Sequence, residues 1–185
     1  MDTLISYFSG TGNSLAIAKK LAELLHADLK AMQSVVRGDG WAMEKYDHLG
    51  LVFPVYNHRI PYIVKRFVDM LPGMDVEYIF AVCTYGDSLC ISLEFLTKLL
   101  SAAGQRLSCG FGVKMPYNYV RPAQGIRGLF RPFVLGEVPD GEQHRILADA
   151  RQKVERISEA VRSKSEGPIE LEHQKIEHIV DFLNL

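Results

Sequence analysis

Short apolar runs that alternate with stretches of helical period constrain the fold of this chain more than any other feature. The first run covers residues 3–8, and apolar residues then recur at three- and four-residue steps as far as His26. Further strand-like runs cover residues 28–35, 48–53, 78–83 and 107–113. Strand and helix in regular alternation predict βαβ units that close a parallel sheet in an α/β domain.

Proline and glycine mark the ends of the predicted helices. Pro61 suits the first turn of a helix that ends at Pro72-Gly73. The apolar stripe over residues 89–103 is followed by Gly104, where a left-handed C-terminal cap is expected. Apolar steps of four, four, three and four residues predict a long helix over residues 142–163.

Two stretches fall outside this rhythm. Residues 115–139 form a long insertion punctuated by proline and glycine, and such loops are usually functional or mobile. Residues 165–185 form a tail, in which residues 169–185 have the pattern of a short amphipathic helix. We therefore predict one domain over residues 1–164, with the insertion inside it, and a helical tail.

Composition and charge narrow the functional classes. The chain has 185 residues, enough for a full core, and its 48% apolar and 23% charged residues are typical of soluble globular proteins. The absence of a secretory signal pattern predicts a cytoplasmic protein. The 21 basic and 22 acidic residues give no global field for nucleic acid, and no segment reads as a membrane span. The spacing of the three cysteines matches no metal site, and Cys83 and Cys109 are predicted to be buried thiols.

A loop between the first strand and the first helix carries the clearest chemical signal. Two glycines and three hydroxyl residues converge in the run Ser9, Gly10, Thr11, Gly12, Asn13 and Ser14. A helix N-terminus offers unpaired N–H groups and positive potential, so a phosphate placed there meets several donors without a lysine. Asn13 can tolerate the left-handed or capping geometry that such a turn often needs. We interpret this loop as a phosphate-binding loop.

Four alternatives for this loop were weighed against its residues. An ATP- or GTP-hydrolysing loop is disfavoured because no lysine occurs before Lys19. A dinucleotide fingerprint is disfavoured because Leu15 replaces its third glycine and no acid closes the second strand. Response regulators carry acids where this chain has Ser9 and Pro54. A capped helix start that binds no ligand remains the structural alternative.

The chain resembles the flavodoxins in this loop and in its succession of strands and helices. Within that superfamily it is most similar to the flavodoxin-like half of flavodoxin/ferredoxin fusion proteins, without their cysteine-rich ferredoxin half. Three further motifs carry this resemblance: Phe53-Pro54-Val55-Tyr56, Thr84-Tyr85-Gly86-Asp87 and Met115-Pro116-Tyr117-Asn118-Tyr119. The resemblance covers residues 1–163 and implies a doubly wound α/β domain and FMN as the cofactor. The implied sheet is parallel and five-stranded, of order 2-1-3-4-5, with helices on both faces.

In such a sheet the ligand lies beyond the carboxyl ends of the strands, where the strand order switches. Loops after the first, third and fourth strands then supply the cofactor-binding residues: Ser9, Gly10, Thr11, Gly12, Asn13 and Ser14; Pro54, Val55, Tyr56, Asn57 and His58; Thr84, Tyr85, Gly86 and Asp87. We expect the Tyr56 ring to stack on the isoalloxazine. For Tyr85, packing against the core is an equally good interpretation. No residue is assigned a catalytic role, and no metal is expected.

The function implied by the resemblance is electron transfer through bound FMN. Alternatives are an NAD(P)H-dependent FMN or quinone reductase of the same fold, and an interaction module that has lost the flavin. Basic residues are concentrated in the expected site loops: His58, Arg59, Lys114, Arg121, Arg127 and Arg131. They predict an anionic redox partner, such as a ferredoxin or a reductase on another chain.

Overall fold

The computed structural model describes residues 2–38, 46–56, 59–71, 76–116, 120–122, 133–135, 139–167 and 169–170. The strands are β1 (Thr3–Tyr7), β2 (Asp28–Ala31), β3 (His48–Pro54), β4 (Tyr78–Tyr85), β5 (Leu107–Lys114), β6 (Val120–Pro122) and β7 (Phe133–Leu135). The helices are α1 (Asn13–Leu25), α2 (Met32–Arg37), α3 (Tyr62–Val68), α4 (Ser92–Ala102) and α5 (Asp140–Arg162).

Strands β1 to β5 form one parallel sheet in the order 2-1-3-4-5, which confirms the predicted architecture. Parallel strands need a crossover between them, and the helices supply it. Strands β3 and β4 are buried along almost their whole length, as expected for central strands covered on both faces. The switch in strand order lies between β1 and β3.

Two core clusters fill the space between the sheet and its helices. On one face α1 and α5 pack through Ile17, Leu21, Val154 and Ile157. On the other face α2, α3 and α4 pack through a second set: Met32, Val35, Val64, Phe67, Leu93 and Leu96. Neighbouring residues of β4 alternate between these clusters, because successive side chains of a strand point to opposite faces.

The predicted second strand over residues 28–35 is half wrong. Strand β2 ends at Ala31, and the remainder is helix α2. Met32 and Val35 are three residues apart and both reach the same core cluster, which is the spacing of a helical face. Over four residues an apolar run does not distinguish a strand from a helical turn, so the sequence missed this helix.

Strand β5 and the start of the tail form the edge of the sheet. The pairing moves from Ile79 opposite Leu107 to Phe80 opposite Cys109, an irregularity in the ladder between β4 and β5. Ile169 bridges to Gly110 in parallel, and the Glu170 N–H donates to the Gly110 carbonyl at 2.9 Å. The prediction of a helix from Ile169 is therefore wrong for these two residues, and residues 171–185 lie outside the described part.

The remaining predictions for the fold are largely confirmed. Helix α5 begins two residues before its predicted start, and Gly104 has the positive φ (+73°) expected of a left-handed cap. Cys83 and Cys109 are buried free thiols, and burial raises the pKa of both. Within the insertion, β6 and β7 pair antiparallel. Among the described helices none is long and apolar enough to cross a membrane.

Candidate functional site

The loop between β1 and α1 presents bare backbone at the start of a helix. Gly12 lies at the N-cap with φ +99°, a left-handed conformation that glycine adopts without strain. The Ala16 N–H donates to the Gly12 carbonyl at 2.9 Å and closes the first turn. Within the described part of the chain no side chain caps this helix start, and its first turn contains no acid. The positive end of α1 therefore faces outward without a competing carboxylate.

The side chains of the loop have separate local partners. Ser9 Oγ accepts a hydrogen bond from the Gly12 N–H at 3.0 Å. Asn13 Nδ2 donates to the Pro116 carbonyl at 3.0 Å, which connects the helix start to the residues after β5. Gly12 takes the left-handed N-cap position, and Asn13 is the first helical residue. The Thr11 side chain is exposed.

Two buried hydroxyls join the start of α1 to β4. Ser14 and Thr84 are almost fully buried, and their hydroxyl oxygens lie 2.7 Å apart in a hydrogen bond. Pro54 pairs with Thr84 in the sheet, and the Val55 N–H donates to the Thr84 carbonyl at 2.8 Å. The Ser14 hydroxyl thus positions the start of α1 over the ends of β3 and β4.

Tyr56 and Arg59, which follow β3, form an isolated antiparallel bridge. They exchange two backbone hydrogen bonds, both of 2.9 Å. These bonds fix the backbone of Tyr56 against that of Arg59. Asn57 and His58, which the sequence assigned to the site, lie outside the described residues.

Tyr56 extends from this bridge to the loop between β1 and α1. A Cβ built on Gly10 would lie 2.2 Å from the Tyr56 hydroxyl oxygen, so only glycine allows this close approach. The Tyr56 ring meets Phe8 edge to face, with centroids 6.1 Å apart and planes at 87°. Tyr56 is 43% exposed, a large value for an aromatic residue in the middle of a site. The segments after β1 and β3 therefore meet, as the sequence predicts.

Tyr85 is the last residue of β4 and packs inward. A Cβ on Gly112 would lie 2.9 Å from both the Tyr85 ring and the Leu89 side chain, and Tyr85 packs against the core cluster beneath α4. Of the two interpretations of Tyr85, packing against the core is the one that the structure supports. Gly86 and the exposed Asp87 follow at the same edge of the sheet.

Sequence reasoning missed two contributors to this edge. Pro116 accepts the Asn13 amide, although the sequence treated its motif only as a family resemblance. Phe8 supplies the ring that supports Tyr56, and its only sequence signal is its position at the end of the first strand. Of the predicted basic group, Arg59 and Lys114 have described side chains, and both are exposed.

The comparisons with known proteins find solved structures of similar fold. Flavodoxin 2 from Bacillus cereus has a TM-score of 0.59 at 16% identity, over 89% of this chain and 99% of that protein. A flavodoxin, WrbA-like protein from Agrobacterium tumefaciens has a TM-score of 0.52 at 16% identity, over 89% and 99% of the two chains. The chain has a flavodoxin-like fold. Searches with protein-family models and against curated protein sequences give no match.

Within this flavodoxin-like fold, the edge between β1 and β3 fits the FMN that the sequence resemblance implies. The uncapped start of α1 suits the phosphate, since its backbone donors face outward and no acid stands in the first turn. The exposed Tyr56 ring offers a flat surface for a planar ring system. Both features lie where a ligand of a doubly wound sheet is expected.

Proposed function

We propose that this protein binds FMN at the carboxyl edge of its sheet and carries electrons between redox proteins. The observation that carries the proposal is the exposed, uncapped start of α1, with Gly12 in a left-handed conformation and Tyr56 reaching across from the third strand. The flavodoxin-like fold supports the proposal, because loops after β1, β3 and β4 meet at this edge.

The residues of the edge have distinct roles in this proposal. Backbone N–H groups of the first turn of α1 and the Thr11 hydroxyl hold the phosphate. Tyr56 covers one face of the ring system and excludes water from it. Bound FMN supplies the redox chemistry, because its ring system takes up and releases electrons. The chain holds the ring in place and sets the environment on which its reduction potential depends.

Flavin binding is tested by adding FMN to the purified, flavin-free chain. We expect a yellow protein with quenched flavin fluorescence and a calorimetric binding signal. Tyr56→Ala should raise the Kd for FMN about tenfold and shift the reduction potential, since an aromatic contact of this kind is lost. Tyr62→Ala, at an exposed tyrosine of α3, is the matched control and should change neither.

The same preparation separates the proposed role from its alternatives. A chain that remains colourless with excess FMN and gives no calorimetric signal would overturn the proposal and favour the interaction module. Prompt oxidation of NADH or NADPH by the FMN-loaded protein would select the reductase instead of the carrier. If Tyr56→Ala leaves both affinity and potential unchanged, Tyr56 has no part in the site.

We further propose that the redox partner is acidic around its own redox centre. The exposed side chains of Arg59, which follows β3, and Lys114, the last residue of β5, lie at the carboxyl edge of the sheet and would attract such a surface. Lys114→Glu should slow electron transfer to an acidic ferredoxin and weaken its dependence on salt. An unchanged rate and salt dependence would argue against docking at this edge. The cytoplasmic location stays a prediction.

A further inference from the structure

A cavity of about 320 Å³ lies beside the phosphate loop, on the side of β2. Its walls come from the end of β1, the start of α1, the end of β2 and helix α2: Tyr7, Ser9, Gly12, Leu15, Ala31, Gln33, Ser34 and Arg37. The flavin ring is expected on the opposite side of the loop, toward β3 and β4. The cavity therefore extends the site in a direction that FMN does not occupy.

Helix α2 contributes the residue Gln33, which has a side-chain amide, to the lining of this cavity. The Gln33 side-chain oxygen Oε1 is buried and has no hydrogen-bond partner among the described residues. Leaving a buried carbonyl oxygen unpaired is unfavourable, and such a group calls for an explanation. Because no donor fixes this amide, rotation about its last bond can turn the oxygen toward a ligand in the cavity.

A cation stands at the mouth of the same cavity. Arg37 is exposed, and its Nε donates to the Gln33 backbone carbonyl at 3.2 Å. Within the described part of the chain, Arg37 forms no ion pair, and Ser34 lies beside it in the wall. The Arg37 guanidinium is thus held in place by one nitrogen, while its two terminal nitrogens are available to an anion.

From these groups we infer that the cavity binds an adenylate group, with the base inside and the phosphate at Arg37. A glutamine amide can pair with the amino group and the neighbouring ring nitrogen of adenine at once, which suits Gln33. The lining also includes the aromatic residue Tyr7, against which a flat base can pack. The volume lies at the lower end of the range of small-molecule pockets, about 300 to 1,000 Å³.

Two sources can supply an adenylate group. Ser9 and Gly12 belong both to the cavity and to the phosphate loop, so the group would lie directly beside the FMN phosphate. It is then either the second half of a flavin adenine dinucleotide or part of a separate adenine nucleotide. The first source rests on the proposed flavin function, whereas the second does not.

The first experiment titrates the full chain, loaded with FMN, with AMP and with IMP, which carries an oxygen in place of the adenine amino group. We expect AMP to bind without displacing FMN and to bind about fivefold more tightly than IMP, since one hydrogen bond distinguishes them. Gln33→Leu should abolish this difference. Arg37→Gln should raise the Kd for AMP about fivefold, and Arg156→Gln on the exposed face of α5 is its matched control.

The second experiment compares FMN with FAD on the flavin-free chain. A preference for FAD of about tenfold that Gln33→Leu removes would identify the dinucleotide as the source. Equal affinities, together with AMP binding to the FMN-loaded chain, would identify a separate nucleotide.

The adenylate inference is overturned if the chain neither binds AMP nor prefers FAD. It is also overturned if AMP merely displaces FMN and Gln33→Leu has no effect. If FMN fails to bind while AMP binds in a Gln33-dependent way, the flavin function falls and the adenylate site stands.

Discussion

The two ends of the parallel sheet differ in the exposure and hydrogen bonding of their polar groups. At the carboxyl end, Gly10, Thr11 and Gly12 are exposed, and the start of α1 is uncapped. At the amino end, two buried tyrosines are hydrogen-bonded to other residues of the fold. The Tyr78 hydroxyl donates to the Ser165 carbonyl at 2.9 Å and lies 3.1 Å from Cys109 Sγ.

A second tyrosine at the amino end also forms an internal hydrogen bond. The Tyr46 hydroxyl donates to Asp28 Oδ2 at 2.6 Å, and this hydrogen bond, together with burial, raises the pKa of Tyr46 to about 12. Burial and the contact with Cys109 likewise raise the pKa of Tyr78. These two tyrosines thus contribute to the stability of the fold, whereas the exposed groups of the loop between β1 and α1 are available to the proposed ligand.

The largest expected effect comes from placing a negative charge at the carboxyl end of the sheet, here called the open end. Thr11→Asp should raise the Kd for FMN at least 100-fold, because two unit charges about 4 Å apart repel by about 4 kcal/mol at an effective dielectric constant of 20. The free energy of unfolding of the flavin-free chain should not fall, since an acid at a helix N-terminus stabilises by about 0.5 kcal/mol.

Thr11→Asn is the matched control for this change, because it has the same shape without the charge. It should keep the affinity for FMN within a fewfold of the wild type. Calorimetry of FMN binding and urea unfolding of the flavin-free chain measure the two quantities separately. Equal loss of affinity in both variants would show that no phosphate lies near Thr11.

The open end was easier to predict from sequence than its internal bonds. Local signals identified β1, the glycine loop and α1, because their residues are neighbours in the chain. The hydrogen bond between Ser14 and Thr84 joins residues 70 positions apart, and nothing in their local sequence indicates it. Tertiary packing also decided that Tyr85 packs against the core.

The wrong assignment of residues 32–35 as strand has a consequence for the cavity beside α2. Because residues 32–35 were interpreted as strand, Gln33 was not placed on a helix with Arg37, one turn away. Residues four apart share one face of a helix, so the correct assignment brings both to the same cavity. The cavity beside α2 therefore could not be predicted from the sequence, although the sequence contains all of its lining residues.

Mutations at the amino end of the sheet, here called the closed end, should change the free energy of unfolding and leave FMN binding unchanged. Tyr78→Phe removes a buried hydroxyl and leaves the Ser165 carbonyl without this donor, so we expect a loss of about 2 kcal/mol of unfolding free energy. The Kd for FMN should be unchanged. Tyr62→Phe removes an exposed hydroxyl and should change neither quantity. A weaker FMN affinity in Tyr78→Phe would mean that the two ends are coupled.

The hydroxyl pair beneath the loop tests whether the open end also has internal supports. Ser14→Ala and Thr84→Val should each cost about 1.5 kcal/mol of unfolding free energy, because each leaves a buried hydroxyl without its partner. The double variant should cost clearly less than the sum of the two. Additive losses in urea unfolding would show that the hydrogen bond contributes nothing of its own.

The smallest expected effect is the pH dependence of the closed end, which depends on His48. This residue is almost fully buried at the start of β3, and its Nε2 has no hydrogen-bond partner among the described residues. Burial and the Lys164 charge lower its pKa below the ordinary value of 6.5, against the opposing charges of Asp47 and Glu77. The unfolded chain therefore takes up this proton first as the pH falls.

Stability should consequently be greatest above pH 6.5 and fall as the pH drops below it, with a slope of at most about 1.4 kcal/mol per pH unit. Urea unfolding of the flavin-free chain between pH 7.5 and 5.5 measures this slope. His48→Gln removes the titrating group and should flatten the slope, whereas His144→Gln, at an exposed histidine of α5, should leave it unchanged. If His48→Gln keeps the wild-type slope, another group governs the acid response, and the closed end does not depend on a neutral His48.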